Sequence, residues 1–113
     1  MDCIFCQIVA GKIPSQTVYQ DEEVIAFRDI NPQAPVHVLI IPRQHIPSLA
    51  GLTQADLPLI GRMVDVANQL AGEESISERG YRLAISCGEE GRQAVPHLHM
   101  HLLGGRQLSD TLG

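Results

Sequence analysis

The sequence predicts an α+β fold: a mostly antiparallel five-stranded sheet with one long helix and a short N-terminal helix. Three observations predict it. Short segments rich in β-branched residues recur with tight polar turns between them. A single stretch, from Leu57 to Ala71, repeats its apolar residues at helical spacing. Late in the chain, His97, His99 and His101 alternate with Leu98, Met100 and Leu102, a period of two that suits a half-buried strand and puts three imidazoles on one face. With 113 residues, 44% hydrophobic and 19% charged, residues 1–113 are read as a single domain.

Taken in order, Cys3 to Gly11 reads as a short amphipathic helix with Ile4, Phe5, Ile8 and Val9 on its apolar side, stopped at Gly11. Thr17–Gln20 and Val24–Arg28 flank an acidic turn and form a hairpin. Asp29 to Pro35 contains two prolines, which remove backbone donors and fix φ, so it is a rigid irregular connection of the kind that carries binding groups. His37 to Pro42 is nearly unbroken apolar sequence, as a central strand covered on both faces requires, and Pro42 ends it. The long helix starts with Asp56 as N-cap, which places Pro58 in the first turn where a missing amide hydrogen costs little. Leu57, Ile60, Val64, Ala67 and Leu70 or Ala71 form its apolar face up to Gly72. Tyr81 to Ser86 is a strand, Gly88 to Gly91 an acidic turn, and His97 to Leu103 the final strand.

A formal charge of -5 and a pI near 5.4 argue against a nucleic-acid backbone or an anionic membrane surface as partner. No apolar run approaches the ~20 residues of a membrane span, and Met1-Asp2-Cys3 lacks the basic start of a secretory signal, so a cytoplasmic protein is expected. Three cysteines, two of them three residues apart, fit a metal site or free thiols better than a disulfide framework.

The histidine strand carries the chemistry. Residues two apart on a strand are roughly 6.6 Å apart, so His97 and His101 are separated by about 13 Å, too far for one metal to gather all three rings. The arrangement suits a groove in which one neutral imidazole acts as nucleophile and its neighbours orient it or donate protons. Chance alternation, with the rings as ordinary polar face residues, is the bland alternative.

His97-Leu98-His99-Met100-His101-Leu102-Leu103 resembles the His-φ-His-φ-His-φ-φ signature, φ being apolar, of the histidine triad superfamily. Phe27 to His37, Leu39 to Ile46, Gly80-Tyr81-Arg82 and Leu103 to Gln107 resemble, in that order, segments of its HINT branch of nucleoside phosphoramidases. The likeness spans about Cys3 to Gln107. It implies a nucleotide hydrolase that cleaves the P–N or acyl-phosphate bond of purine nucleoside phosphoramidates and aminoacyl adenylates, with AMP derivatives as substrates and a homodimer as the working form, joined through the helix Leu57 to Ala71 and the strand near Tyr81 to Ser86. By resemblance, His99 is the nucleophile. His101 contacts the phosphate and bridging atom and helps the leaving amine depart as an acid, while His37 orients the imidazoles. Asp29 accepts hydrogen bonds from the ribose, although a turn cap before Pro32 explains it equally well from the residues alone. Ile4, Phe5, Ile8, Phe27 and Ile30 line a slot for the purine, Ile8 also serving as ordinary core, and Gln93 with the backbone from Arg92 to Val95 surrounds the phosphate. Ser86 and Ala94 depart from the family's pattern by removing or shortening polar side chains near that phosphate.

Cys3-x-x-Cys6 alone is ambiguous between zinc, thiol redox chemistry and coincidence. Related triad proteins with this pair complete a Cys2His2 site with the histidine after the central strand and the first triad histidine, here His45 and His97. The resemblance therefore implies a structural zinc, with no catalytic metal or organic cofactor expected. It also leaves His97 divided between metal binding and catalysis. Competing readings are a dinucleoside polyphosphate hydrolase, against which the Gly104-Gly105-Arg106-Gln107 ending weighs, and a purine-nucleotide-binding regulatory protein with little catalysis. A cupin-type metal enzyme lacks its further downstream ligands.

Overall fold

The central strand, Val36–Pro42 (β3), is buried at every residue, as its apolar run requires. Thr17–Gln20 (β1) and Val24–Arg28 (β2) precede it, and Tyr81–Ala84 (β4) and Met100–Gly104 (β5) follow. Ile4–Val9 (α1) and Leu57–Glu73 (α2) are the α-helices of this computed structural model, which describes residues 3–112; the reading of Met1 and Asp2 as part of the chain's start lies outside those residues. The strands form one sheet in the order β1-β2-β3-β5-β4, every neighbouring pair antiparallel. No helix among the described residues is long and apolar enough to cross a membrane.

Alternation along β3 divides the molecule. Val36, Val38 and Ile40 face α2 and join a cluster with Met63, Val66, Leu70, Leu98, Met100 and Leu102, while Leu39 and Ile41 face the other way and meet Cys3, Phe5, Ile25 and Phe27. Each fully buried Met or Leu of this kind contributes roughly 1.5–3 kcal/mol relative to exposure. The odd and even residues of the histidine segment fall on these two sides as well. Leu98, Met100 and Leu102 enter the helix-side cluster, and the rings of His97, His99 and His101 lie on the side of Phe5.

Three expectations need correction. First, the last strand begins at Met100, not at His97. The register pairs Ile40 with Met100, so Leu98 lies beyond the last paired residue, at the level of Pro42. Pro42 has no N–H to give, and the Leu98 amide donates instead to Ile46 O at 2.7 Å. His97 to His99 are therefore held outside the ladder. Second, β4 ends at Ala84 rather than Ser86. Third, α2 starts where expected, with Asp56 as N-cap and Pro58 in its first turn, but its buried face is Met63, Val66, Ala67, Leu70 and Ala71. Leu57 is 56% exposed and Ile60 and Val64 only pack on the margin of the core. Thr53 opens a 3-10 turn before the helix, its amide donating to the Asp56 carboxylate at 2.9 Å. Arg62 then ties α2 to the hairpin through Asp21 at 2.7 Å.

At the end of β5 the paired glycines have steric reasons. A Cβ on Gly104 would meet Ile76 Cδ1 at 2.7 Å, and Gly105, at φ +95°, turns the chain beneath Pro35.

Candidate functional site

A row of imidazoles crosses the sheet on the Phe5 side. His37 stands on β3 and His101 on β5, with His37 Nε2 2.9 Å from His101 Nδ1 and the ring centroids 5.2 Å apart. His99 follows at 5.1 Å from the His101 ring. Beyond it lies His97, which is completely buried, and then His45 at 5.0 Å from His97. At the opposite end Asp29 brings Oδ2 to 3.3 Å from His37 Nε2, while its Oδ1 accepts the Asn31 amide at 2.8 Å. The turn-cap role and the approach to the site are both present, one on each carboxylate oxygen.

Backbone groups decide which ring nitrogens carry hydrogen. The amide of Gln33 donates to His37 Nδ1 at 3.0 Å, so a neutral His37 carries its hydrogen on Nε2. That hydrogen faces His101 Nδ1, which must accept, and the His101 hydrogen is left on Nε2. His99 Nδ1 lies 2.7 Å from His97 O, and a carbonyl only accepts. Nδ1 of His99 therefore bears the hydrogen and Nε2 keeps its lone pair, the form a nucleophile needs. Burial pushes the proton affinity of His37 and His97 down, opposed at His37 by Asp29 and at His97 by the Pro42 carbonyl. Burial, with His99 and His37 close by, lowers His101 to about 4. Near pH 7 these rings are neutral, as the hydrogen-bond pattern requires.

Asp29, His37 and His101 also bring three potential ligand atoms within 4.8 Å of one another. A metal on His37 Nε2 would force the hydrogen onto Nδ1, against the Gln33 amide, so this end of the row suits proton placement rather than a cation.

The other end is different. Cys3, Cys6, His45 and His97 present four ligand atoms within 4.8 Å of one another. His97 Nδ1 is 3.4 Å from Cys3 Sγ and 3.6 Å from Cys6 Sγ, Cys6 Sγ is 3.2 Å from His45 Nδ1, and the two Nδ1 atoms are 3.3 Å apart. Tetrahedral zinc with its usual bond lengths requires about 3.5 Å between sulfur and nitrogen ligands and about 3.3 Å between nitrogens. The fit is close at every one of these pairs. The outer contacts fit too: His97 Nε2–H donates to Pro42 O at 2.8 Å, freeing Nδ1 as a ligand, and the Cys6 amide donates to Cys3 Sγ at 3.4 Å. Burial and the neighbouring Cys3 thiol push the Cys6 thiol up, an effect that a divalent cation reverses. This cluster begins α1, whose cap is Cys3 itself.

Of the expected purine-slot residues, Phe5 and Phe27 meet edge to face at 5.5 Å in the cluster that Ile8 and Val95 border. Ile4 is 45% exposed, and Ile30, at 91%, projects from the turn after Asp29, apart from the apolar face. Gln93 is committed elsewhere. Its side-chain nitrogen donates to Pro47 O at 2.7 Å and Val95 O at 3.0 Å, and its oxygen accepts the Gly88 amide, so it closes the Gly88 to Gln93 loop.

Comparison with known proteins bears on this arrangement. The family model described as "Scavenger mRNA decapping enzyme C-term binding" matches residues 2–112. The chain is 49% identical over 111 residues to the purine nucleoside phosphoramidase of Escherichia coli (strain K12), covering 98% of this chain and 93% of that one. A solved HIT family hydrolase from Legionella pneumophila Philadelphia 1 superposes with a TM-score of 0.97 at 45% identity, covering 99% of this chain and 100% of that one. The chain belongs to the histidine triad family. Its branch is the HINT type and its class is hydrolase. The "14 kDa zinc-binding protein" of Zea mays is 49% identical over 109 residues, 94% of this chain and 84% of that one.

In this histidine triad hydrolase three groups that order the site escaped sequence reasoning, the Gln33 amide and the Pro42 and His97 carbonyls. All are main-chain atoms that every sequence supplies, so no residue type announces them. Phe5 was expected against a purine. It also meets the His99 ring edge-on at 5.2 Å.

Proposed function

We propose that this enzyme, as a single domain over residues 1–113, hydrolyses purine nucleoside phosphoramidates and aminoacyl adenylates through a nucleotidyl-His99 intermediate and releases AMP. The observation that carries the reading is the 2.7 Å bond from His99 Nδ1 to His97 O, which leaves Nε2 as a lone pair beside His101. In the first step Nε2 attacks the α-phosphorus, and the N–P bond forms as the bond to the leaving group breaks. One hard displacement becomes two easier ones. His101, neutral and with its hydrogen on Nε2, donates a hydrogen bond to the bridging atom or a phosphate oxygen. The hydrogen received from His37 keeps a second proton off His101, so His101 acts as a donor of a hydrogen bond rather than as the full acid expected from sequence. A carboxylate leaves without needing a proton, and an amine takes its proton from water. Water then attacks phosphorus, the N–P bond breaks, a proton returns to solvent and AMP departs.

Asp29 would accept from ribose hydroxyls in exchange for its 3.3 Å contact with His37, and Phe5 and Phe27, edge to face, would supply apolar surface for a purine. Cys3, Cys6, His45 and His97 would hold one structural zinc, which joins α1 to the sheet. The working form is a cytoplasmic homodimer. Among the described residues β4 is an edge strand whose outer side is unpaired, and α2 leaves Leu57 exposed. Hydrolysis of an adenosine phosphoramidate by the wild type and by His99→Ala tests the reading: turnover that requires His99 supports it, and equal rates in the two proteins sink it.

A further inference from the structure

His97 takes part in two arrangements at once. Its ring lies in the sulfur and imidazole cluster, Nδ1 3.4 Å from Cys3 Sγ and 3.3 Å from His45 Nδ1, while its main-chain carbonyl accepts the Nδ1 hydrogen of His99 at 2.7 Å. Among the described residues that carbonyl is the only hydrogen-bond partner of the His99 ring. The aromatic neighbour of His99 that belongs to a helix is Phe5, edge-on at 5.2 Å and 86°. Phe5 stands on α1 between Cys3 and Cys6, and it touches the His97 ring as well, at 5.9 Å. Both restraints on the nucleophile thus lead back to the same four ligands, one through the main chain of His97 and one through the turn that the cysteines begin.

The sheet does not supply an alternative restraint. β5 starts at Met100, and at the level of Leu98 stands Pro42, which lacks an amide hydrogen. The peptide that carries the His97 carbonyl is outside the ladder. It is held at two points: its N–H, on Leu98, donates to Ile46 O at 2.7 Å, one residue after the ligand His45, and the His97 ring is tied through Nε2 to Pro42 O at 2.8 Å and through Nδ1 in the cluster. Both points depend on the ligand set, one through His97 and one through the segment that His45 begins, so its release loosens the peptide and with it the acceptor that selects the His99 tautomer.

We propose that Cys3, Cys6, His45 and His97, when they hold their metal, set the tautomer and aim of His99, and are positioning residues for the nucleophile as well as a clasp for α1. Loss of the ligand set slows the chemical step while substrate binding at Asp29 and Phe27 is retained. Loss of a partner that orients a metal ligand costs about 10–100-fold in metal affinity or activity, and a loss of that order is expected for His99. The kinetic part rests on the reading of His99 as nucleophile; the tautomer part does not.

The test uses the full chain with 15N-labelled histidine, because imidazole nitrogen shifts separate a protonated nitrogen from a lone pair. Zinc-loaded wild type should show His99 with hydrogen on Nδ1 alone. His45→Ala, chosen because His45 stands beyond His97 from the nucleophile, should lose its zinc, keep its far-ultraviolet circular dichroism and show averaged Nδ1 and Nε2 shifts for His99. Its kcat should fall about 10–100-fold with KM changed by less than about twofold. His45→Cys, which exchanges one ligand for another, should restore zinc, shifts and rate. Chelator-treated wild type, reversed by added zinc, gives the same comparison if His45→Ala does not fold. An unchanged His99 signature in folded, zinc-free protein overturns the proposal whatever its activity. Zinc-loaded wild type with the expected shifts but no turnover of adenosine phosphoramidates would overturn the functional reading instead.

Discussion

Acidification is the perturbation whose size follows most directly from the site. His101 is held at about 4 in the folded protein, first by burial and then by His99 and His37, against about 6.5 for an unperturbed imidazole. Between these values the unfolded chain binds a proton that the folded one refuses, so this contribution is fully present above pH 6.5 and is lost as pH falls toward 4. The gap corresponds to at most about 3 kcal/mol by pH 4 and about 2 kcal/mol by pH 5, an upper bound because the ring is only half-buried. The assay is urea unfolding at pH 7, 5 and 4 for wild type and His101→Gln. Every other titratable side chain is common to the two proteins, and the difference isolates His101. Wild type should lose stability more steeply than the variant on acidification. Parallel loss in the two proteins, or a variant that is the more acid-sensitive, would refute the account of a neutral His101 held by burial and by its neighbours.

Metal analysis of protein purified without chelator should give about one zinc per chain, and Cys6→Ser should bring it well below that with a lower melting temperature; a site held at 100 times its dissociation constant contributes about 2.7 kcal/mol. Sedimentation at micromolar concentration should show a dimer, and Leu83→Pro, which removes a donor from the edge strand β4, should shift it toward monomer if that edge forms the seam. On the proposed role of His101, a hydrogen-bond donor that keeps its proton, kcat should be higher for an aminoacyl adenylate than for an alkyl-amine phosphoramidate of the same nucleoside. The reverse order would return His101 to the role of full acid.

Much of the fold was legible because its signals are local. The apolar run of β3, the turn residues of the first hairpin and the N-cap at Asp56 each specify their own element, and each stands where expected. The face of α2 was not legible. Apolar residues occupy more of that helix than one stripe, so the buried set, Met63, Val66, Ala67, Leu70 and Ala71, is selected by the sheet it meets rather than by spacing. The histidine strand shows the same division. Its period of two gave the facing of all three rings, yet the start at Met100 depends on Pro42, more than fifty residues away in the chain, at the level of Leu98.

Within the site, the residue types were readable and their hydrogens were not. Cys3, Cys6, His45 and His97 were expected together and lie within ligand distance. The tautomers of His37, His99 and His101 depend on the Gln33 amide and the His97 carbonyl, which no side-chain pattern encodes. Ile30 and Gln93 are a case of their own. Their types suit a purine and a phosphate, and what spacing could not give is their surroundings: Ile30 stands exposed on the turn after Asp29, and the Gln93 amide bonds Pro47, Val95 and Gly88.

The central claim is that His99 Nε2 forms the bond to phosphorus. Rapid acid-free quenching during turnover of an adenosine phosphoramidate, followed by proteolysis and mass spectrometry, measures it directly. An adenylyl group on His99, present in the wild type and missing in His99→Ala, is the predicted result. Full turnover with no adduct on His99, or with the adduct on His101, would contradict it.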